Sequence, residues 1–348
     1  MNLKELARQL GLSQTTVSRA LNGYPEVSER TRERVREAAL ATGYQPSRTA
    51  RRLATGRSRV LGNVVARSRH GLLGPHFSDV VAGIGQASGQ LGYDAQLSIV
   101  DDATQASLYR ELAADGSVDG VIVHGPTVDD SRIELLSSLD LPFVMHGRAG
   151  DECGYTWLDV DNRHAIRRAT GLLLDLGHRD VALLNGDESF GYAARRRRGF
   201  DEAFDERAQA CPPARYFTGF PTEAYGHDTV AALLDGDESP TAAVVGGLLP
   251  AHGALRALQD RGLTLGRDFS IVAYDDRLTW LENGGEFPLF TALRSSIERA
   301  GRRLVELLVE RIEDRAIPPV GELWEAELVL GRSTGPPGGR RPRKRGKG

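Results

Sequence analysis

Apolar residues near the start of the chain recur with the period of an α-helix. The first such set repeats at i, i+3, i+4 and i+7 and comprises Leu3, Leu6, Ala7 and Leu10. Asn2 precedes it, and Glu5 follows three residues later, which is the pattern of a capping box. Gly11 is a natural stop. The spacing therefore predicts a first helix over residues 3–10.

A second and a third helix are predicted directly afterwards. Ser13 can cap the second, whose inward stripe is Val17, Ala20 and Leu21. The opposite face is short and polar and carries Gln14, Thr15, Ser18, Arg19 and Asn22. Ser28 can cap a third helix that runs to about Ala41, with Val35, Ala38 and Ala39 on its core side and Gly43 as its stop. The pattern indicates a small three-helix unit.

The order helix, glycine-containing turn and helix is typical of a helix-turn-helix, whose second helix enters the major groove of DNA. Arg19 can clamp the O6 and N7 atoms of guanine, and Gln14 can pair with adenine. An ordinary three-helix bundle would favour Lys and Glu on a solvated face, but the second helix contains neither. The residue types therefore favour a DNA-reading unit.

A basic segment follows the third helix: residues 44–59 read YQPSRTARRLATGRSR. Pro46 can open a helix over residues 47–54, which is too short to be stable alone in water. Leu53 lies among Arg48, Arg51 and Arg52 and suits a wedge that enters a minor groove between phosphates. A solvated linker would explain the arginines but not the leucine.

From residue 60 the pattern changes to short β-rich runs that alternate with helical stretches. The predicted strands are residues 60–66, 94–100, 120–123, 143–145, 181–184, 242–245 and 270–274. The predicted helices lie near 77–92, 103–114, 162–176, 192–210, 222–235, 250–261 and 296–313. Such alternation indicates parallel sheets covered by helices on both faces. About 270 residues of it predict two doubly wound subdomains, with ligands bound between them at the carboxyl ends of the strands.

Charge is distributed unevenly along this chain of 348 residues, whose net charge is only −3. Residues 1–60 carry 12 basic and 5 acidic side chains, which gives +7, and residues 335–348 carry 6 basic and no acidic ones. The residues between them, 61–334, therefore carry a net charge of −16. This layout favours a polyanion bound at the ends of the chain. For the tail, nonspecific attraction to DNA and an inert end both remain open; it has no leucine heptads for a coiled coil.

Several function classes fit the sequence poorly. There is no apolar run of about 18 residues and no apolar signal segment, so we expect a cytoplasmic protein. Cys153 and Cys211 are expected to be free thiols. The eight histidines lack metal-ligand spacing, and no cofactor is expected. The glycine-rich run at residues 83–89 falls inside a predicted helix rather than after a strand, which disfavours a nucleotide site. No nucleophile motif supports an enzyme.

The body offers hydrogen-bonding groups where strands end. His124 and Arg148 each follow a predicted strand, and Asp275 and Asp276 end another. Carboxylates, guanidinium groups and aromatic faces such as Phe77 or Trp280 suit the hydroxyls and rings of a sugar. Each position also has a plain structural explanation, since a strand-end Asp is often a helix cap and the run Arg195–Arg198 is typical of a solvated helix face.

Residues 3–56, from LKELARQLGLSQTTVSRALNGYPEVSERTRERVREAALATGYQPSRTARRLATG, resemble the DNA-binding head and hinge of the LacI/GalR family of repressors. The resemblance implies base-reading roles for Gln14, Thr15 and Arg19. It implies neighbouring phosphate or base contacts at Ser13, Thr16, Ser18 and Asn22, hinge contacts at Ser47, Arg48 and Ala50, and an intercalating role for Leu53. Ser47 departs from the asparagine that is usual in the family, but its hydroxyl can still contact phosphate.

The body resembles the same family, with a periplasmic-binding-protein-like layout. Arg196 and Asp275 match effector contacts of the family, and Phe77 matches an aromatic residue at its cleft; His124 and Arg148 complete the candidate effector set. The segments VDGVIVHGP, LPFVMHGR, WLDVDN, TEAYGH and NGGEFPLFTALRSS are most similar to the α-glucoside-operon repressors of the family. Gly247-Leu248 stands where the family commonly has Asn-Asp, so one polar sugar contact is missing.

These observations predict an all-α helix-turn-helix head (1–45), a hinge (46–59), an α/β body of two doubly wound parallel-sheet subdomains (60–334, with crossovers near 160, 290 and 320) and a basic tail (335–348). The resemblance implies a homodimeric repressor on a pseudo-palindromic operator, released by a sugar effector, an α-glucoside. The alternative is a cytoplasmic sugar-binding or sugar-modifying α/β protein with an accessory basic head.

Overall fold

Three short helices form the amino-terminal head of the protein. The computed structural model describes residues 1–44, 56–66, 75–151, 153–210, 215–285 and 287–338. The head helices are α1 (Leu3–Leu10), α2 (Gln14–Leu21) and α3 (Glu29–Thr42). They enclose a small core in which Leu6, Val17 and Val35 are fully buried. The three predicted helices are therefore confirmed, and α1 ends at Leu10 as expected while α3 ends one residue beyond the expected Ala41.

The predicted caps account for the sharp helix ends in the head. Asn2 and Glu5 form both hydrogen bonds of a capping box, and Ser13 and Ser28 each accept from the backbone N–H three residues on. Gly11 ends α1 at a φ of 65°, a left-handed backbone conformation that favours glycine. The predicted hinge helix, with Ser47, Arg48, Ala50 and Leu53, lies outside the described residues.

Two six-stranded sheets form the body, and helices cover both. The strands are β1 (Val60–Ala66), β2 (Asp94–Val100), β3 (Gly120–His124), β4 (Phe143–His146), β5 (Thr156–Val160), β6 (Val181–Asn185), β7 (Tyr216–Thr218), β8 (Ala242–Val245), β9 (Ser270–Asp275), β10 (Thr291–Arg294), β11 (Gly321–Trp324) and β12 (Glu327–Val329). The first sheet has the order β11-β5-β4-β3-β1-β2, and the second has the order β12-β10-β9-β8-β6-β7. All pairs are parallel except that of β10 with β12. The predicted fold class is confirmed.

The helices of the body follow the strands in alternation. They are α4 (Pro75–Gln90), α5 (Asp102–Asp115), α6 (Ser131–Ser138), α7 (Asn162–Asp175), α8 (Gly191–Asp205), α9 (Glu223–Asp235), α10 (Leu248–Asp260) and α11 (Ile297–Glu313). The glycines at positions 83, 85 and 89 lie inside α4, as expected, and not in a loop after a strand. We call the first sheet with its helices lobe 1 and the second sheet with its helices lobe 2.

The chain passes between the two lobes three times. It leaves lobe 1 after β5, returns from β10 through α11 to β11, and ends with β12 in lobe 2. These crossings lie side by side, because β5 neighbours β11 in one sheet and β10 neighbours β12 in the other. Three adjacent connections give the lobes a common hinge.

Several short elements of the body were not predicted from the sequence. The pattern gave no strand for β5, β7, β10, β11 or β12 and no helix for α6, and it extended α8 to residue 210 instead of Asp205. β7 and β12 have only three residues each, and both are edge strands. Elements this short carry too few alternations to produce a periodic signal, and pairing with a distant strand determines them.

Helices α4 and α11 approach so closely in lobe 1 that two glycines are required. A Cβ on Gly83 would overlap the backbone carbonyl oxygen of Glu298, and one on Gly301 would overlap that of Val80. On the same helix, a Cβ on Gly85 would meet no atom within 4 Å, and Gly85 is exposed. The backbone contact, and not flexibility, therefore explains the glycine at position 83.

We expect Gly83→Ala to lower the free energy of unfolding by about 1–3 kcal/mol, because the methyl group must push α4 away from α11. Gly85→Ala is the matched control and should raise it by about 0.5–1 kcal/mol, because alanine favours the helix. Urea unfolding of the two variants measures both values. Equal shifts for the two would contradict the close packing of α4 on α11.

Candidate DNA-reading and effector-binding sites

The outer face of α2 presents the predicted base-reading residues. Gln14, Thr15 and Arg19 are exposed, whereas Val17 and Ala20 on the other side of the helix are buried in the head core. The core therefore fixes the rotation of α2 and turns these three side chains outward together. Arg19, with its fork of donors, and Gln14, with one donor and one acceptor group, can read base edges.

The other predicted contacts of the head stabilise the ends of α2. The hydroxyl groups of Ser13 and Thr16 lie 2.8 Å apart at its amino end, and the backbone N–H of Thr16 donates to Ser13. At the carboxyl end, Asn22 donates from Nδ2 to the carbonyl oxygen of Ser18 at 2.8 Å. Ser13 is exposed, and Thr16, Ser18 and Asn22 are half-buried, so these groups border the predicted base-reading face.

The carboxyl ends of the two sheets face each other where lobe 1 meets lobe 2, and we call the space between these ends the cleft. On one margin, Gly191 donates to the carbonyl oxygen of Pro126 at 3.0 Å, and Val128 donates to that of Ser189 at 2.9 Å. On the other, Nε2 of His76 lies 2.5 Å from Oδ2 of Asp276. Contacts at both margins mean that the lobes are closed on each other.

Arg196 lies in this cleft and is 7% exposed. It donates from Nε to Oδ1 of Asn162 at 2.7 Å and from Nη1 to the carbonyl oxygen of Gly246 at 3.0 Å. Its guanidinium carbon lies 4.2 Å from the ring centre of Tyr274 and 5.1 Å from that of Tyr192. These contacts fix the guanidinium group while part of its five N–H donors remain for a ligand.

The interpretation of the run Arg195–Arg198 as a solvated helix face is wrong for its first two members, which are buried. Arg195 is 5% exposed and donates to three backbone carbonyl oxygens of lobe 1, those of Arg148, Ala149 and Gly150, at 2.7–3.2 Å. Arg198 is exposed. Because α8 packs one side against lobe 1, half of the run is buried at the contact between lobes.

His76 and Asp276 join the first turn of α4 in lobe 1 to the end of β9 in lobe 2. The Asp276 carboxylate raises the pKa of His76, although burial and Arg196 oppose this. Burial alone would raise the pKa of Asp276, but His76 and Arg196 hold it below its ordinary value. The backbone N–H of Thr279 also donates to Asp79 at 2.9 Å across the same margin.

Two more imidazoles lie at the carboxyl ends of β3 and β4. Nε2 of His124 is 2.6 Å from Oδ1 of Asn63, and Nδ1 of His124 is 3.2 Å from Nδ1 of His146. An amide oxygen only accepts, so His124 donates from Nε2 and accepts from His146. Burial lowers the pKa of His146 to about 4 and that of His124 well below its ordinary value. Both are therefore neutral, and Nε2 of His146 remains an acceptor.

The structure places the other three predicted effector residues at the edges of this cluster. Phe77 is half-buried and packs against the lobe 1 core next to His76. Arg148 donates to Asp159 at 3.2 Å and lies over Trp157. Asp275 accepts from Nε of Arg294 at 3.3 Å and from the N–H of Arg277 at 2.8 Å. The last two thus already have partners within the protein.

His76 and His146 were not predicted as site residues from the sequence, and of the strand-end pair Asp275 and Asp276 only Asp275 was included in the predicted effector set. One signal was available, because His76 adjoins Phe77 and Asp276 adjoins Asp275. Successive residues of a strand point to opposite sides, and here Asp276, not Asp275, reaches the lobe 1 imidazoles. At Gly247, where the family commonly has Asn, a Cβ would meet only Pro250 at 3.6 Å, so that position adds space and no polar group.

Comparison with known proteins identifies the class to which this fold and these sites belong. The description "Bacterial regulatory proteins, lacI family" matches residues 2–47, and "Periplasmic binding protein-like domain" matches residues 170–334. The chain belongs to the LacI family of DNA-binding transcriptional regulators, and its similarity to individual members runs from end to end.

The chain is 39% identical over 343 residues to the HTH-type transcriptional regulator AglR of Rhizobium meliloti (strain 1021), covering 98% of this chain and 96% of the relative. It is 31% identical to RafR of Escherichia coli, over 93% of this chain and 96% of RafR.

Among solved structures, the chain is similar to the lac repressor dimer bound to operator and the anti-inducer ONPF, with a TM-score of 0.82, 27% identity and coverage of 96% of this chain and 99% of that one. It is also similar to the CelR–cellobiose complex, with a TM-score of 0.70, 28% identity and the same coverage.

The described residues hold neither a metal-binding cluster nor a membrane-spanning helix. No group of three or more His, Cys, Asp or Glu side chains there could hold a metal ion. None of the helices in the described part is long and apolar enough to cross a membrane. Cys153 is a free thiol, and Cys211 lies outside the described residues.

Proposed function

We propose that the protein represses transcription as a homodimer on a pseudo-palindromic operator and releases it when a sugar, an α-glucoside, binds between the lobes. One observation carries the proposal. The same chain has an exposed face on α2 whose residues can read bases and, between its two lobes, a cleft that contains Arg196. Of the similar structures, that of CelR is a complex with cellobiose and that of the lac repressor dimer is a complex with its operator. The protein would act in the cytoplasm and without catalysis.

On DNA, we propose that each head of the dimer reads one half-site with Gln14, Thr15 and Arg19. Ser13, Thr16, Ser18 and Asn22 border that face and would contact phosphates or neighbouring bases. The two hinge segments would meet in the central minor groove, where Leu53 enters a base step and Ser47, Arg48 and Ala50 contact the backbone. Unstacking a step costs a few kcal/mol, which the arginine–phosphate contacts help to offset.

In the cleft, we propose that Arg196 and Asp276 bind vicinal hydroxyl groups of the sugar and that Tyr192 and Phe77 contact its ring. Nε2 of neutral His146 would accept from a further hydroxyl. Arg148, through its contact with Asp159, would position the loop after β4, and Asp275, through its contact with Arg294, would position the end of β9. His124 would orient His146. The sugar need only bind one lobe arrangement better than the other to change the fit of the dimer to DNA.

A gel shift separates this proposal from a sugar-binding or sugar-modifying protein with an accessory basic head. The full chain should shift the DNA upstream of its own gene at concentrations at least about 1,000-fold below those that shift random DNA of equal length. The same affinity for both DNAs would indicate that the head binds phosphates only, and would contradict the proposal.

The contact between His76 and Asp276 predicts a pH dependence of sugar binding. The pair favours protonated His76, so its contribution to lobe closure is present below the ordinary histidine pKa and is lost as pH rises through the raised pKa. Sugar affinity should therefore fall by up to about fivefold between pH 6 and pH 9, which is the scale of a partly exposed ion pair.

His76→Gln should make sugar affinity independent of pH in this range. Asp79 and Arg196 also face the pair. Asp276 keeps its charge in this range because its pKa is lowered, and His124 and His146 stay neutral because burial lowers their pKa values. Isothermal titration calorimetry on both proteins measures the difference. A wild-type affinity that is flat with pH, or an unchanged slope in the variant, would contradict a role for the pair in closure.

A further inference from the structure

The first turn of α8, in lobe 2, is fixed to lobe 1 through backbone groups. A short antiparallel bridge pairs Thr127 of lobe 1 with Phe190. On its two sides Gly191 donates to the carbonyl oxygen of residue 126 at 3.0 Å, and Val128 donates to that of Ser189 at 2.9 Å. Backbone groups neither titrate nor rotate away from each other as side chains do. We call this contact between the lobes the α8 margin.

Arg195 strengthens the α8 margin with a buried guanidinium group. It donates to the carbonyl oxygens of Arg148, Ala149 and Gly150, in the loop after β4 of lobe 1, at 2.7–3.2 Å. Its Nη1 also lies 3.9 Å from the carboxylate of Asp159 on β5, and both side chains are buried. Three carbonyl groups and one carboxylate of lobe 1 therefore hold a single side chain of lobe 2.

The two lobes also approach too closely at this margin for a side chain between them. A Cβ on Gly191 would lie 2.4 Å from the carbonyl oxygen of Arg148, which is an overlap. A rotamer change cannot relieve it, because the atom that would be met belongs to the backbone. The glycine at position 191 is thus explained by close packing of α8 on lobe 1.

The opposite margin of the cleft is made by side chains. Nε2 of His76 lies 2.5 Å from Oδ2 of Asp276, and the backbone N–H of Thr279 donates to the carboxylate of Asp79 at 2.9 Å. Each contact depends on a carboxylate that can turn away and regain water when the lobes separate. This contact, which we call the His76 margin, therefore opens more easily than the α8 margin.

The strand orders show that these two margins and the crossings between the lobes do not lie on one line. Along the first sheet, the crossings at β11 and β5 come first, the loops after β4 and β3 that hold α8 come next, and β1, which leads to His76, comes later. Along the second sheet, the crossings at β12 and β10 come first, β9 with Asp276 next, and β6, which leads to α8, later. Because the two margins follow in opposite order, the three attachments form a triangle. Rotation about the line through the crossings and the α8 margin separates the lobes at the His76 margin.

We propose that the α8 margin is a fixed pivot and that the lobes open and close at the His76 margin. Arg195 is then a positioning residue, since it holds α8, and with it Arg196, against lobe 1 whether or not a sugar is bound. A sugar would select between arrangements that differ at the His76 margin. The inference rests on the proposed function, because it concerns the movement by which a sugar would act on operator binding.

A disulfide across the α8 margin tests the pivot in the full-length homodimer. Val128 and Ser189 are opposite each other next to the bridge, and both are exposed. Opposite residues of an antiparallel pair have Cα atoms about 4.5–5.5 Å apart, which suits a disulfide. The variant combines Val128→Cys and Ser189→Cys with Cys153→Ser and Cys211→Ser, so that a single pair of thiols is present. Dithiothreitol opens the disulfide and supplies a control of identical sequence.

Operator affinity of this variant is measured with and without the α-glucoside that releases the wild type. The sugar should lower the affinity by the same factor, about 5- to 150-fold, in the oxidised and in the reduced form. A response that is absent from the oxidised form and returns with dithiothreitol would show that the α8 margin moves, and would overturn the proposal.

Arg195→Met adds a second test of the pivot. It should weaken sugar binding by at least about tenfold, because α8 loses its charged hydrogen bonds to lobe 1. Arg198→Met, at an exposed position of the same helix, is the matched control and should leave sugar affinity unchanged. When Arg195→Met is combined with the disulfide variant, oxidation should restore most of the lost affinity and reduction should remove it again.

Two outcomes of this second test would overturn the proposal. Unchanged sugar affinity in Arg195→Met would show that the guanidinium group does not hold the pivot. A loss that the disulfide does not restore would show that Arg195 acts on the fold or on the sugar itself. Wild-type protein that binds none of the α-glucosides would instead count against the proposed function.

Discussion

Replacing Arg19 by Ala should weaken operator binding by at least about 30-fold while leaving binding to random DNA within about threefold of the wild type. Arg19 is exposed on α2, and the buried Val17 and Ala20 fix the direction in which that face points. A bidentate contact to guanine contributes about 1–3 kcal/mol, and a dimer loses it twice, once in each half-site. Fluorescence anisotropy with operator and random duplexes at one salt concentration measures both affinities.

Arg8→Ala is the matched control for this loss. Arg8 is also an exposed arginine of the head, but it lies on α1 and outside the reading face. Any phosphate contact that it makes should be lost on operator and random DNA alike. If Arg19→Ala also reduced both affinities equally, Arg19 would be a phosphate contact, and base reading by this residue would be excluded.

Replacing Arg196 by Lys should weaken sugar binding by at least about 30-fold and leave operator affinity without sugar unchanged. Lysine keeps the charge but cannot donate to Asn162 and Gly246 together from a planar fork between Tyr192 and Tyr274. A ligand would then meet a displaced cation. Calorimetric sugar titration and operator anisotropy are the two measurements.

Arg198→Lys, two residues further along α8, is the control for this substitution, because Arg198 is exposed. It should change neither sugar binding nor operator binding. A loss of operator binding in Arg196→Lys would show that the residue supports the folded body and would remove it from the effector site. Thermal unfolding of both variants separates that outcome from a direct effect on the ligand.

Much of the head could be predicted from the sequence, because its signals are local. Capping residues, glycine stops and apolar stripes act within one helix, and the structure has each of them: Asn2 with Glu5, Ser13, Ser28 and Gly11. The long buried strands of the body were predicted for the same reason. β9, for example, is a continuous run of buried residues.

The cleft could not be assembled from the sequence in the same way. His76 and Asp276 are 200 residues apart and meet only because two sheets face each other across a hinge of three crossings. Arg195 and Arg198 look alike in sequence, but packing of α8 against the loop after β4 buries only the first. Local patterns contain no information on which lobe a side chain will meet.

One measurement tests the central claim most directly: the operator affinity of the wild-type homodimer, titrated with maltose, sucrose, trehalose and related α-glucosides. A coupling free energy of about 1–3 kcal/mol between the sugar and operator sites predicts a 5- to 150-fold loss of operator affinity with at least one of them. Arg196→Lys should show no such loss at the same sugar concentrations. An operator affinity that none of these sugars changes would contradict release of DNA by an α-glucoside.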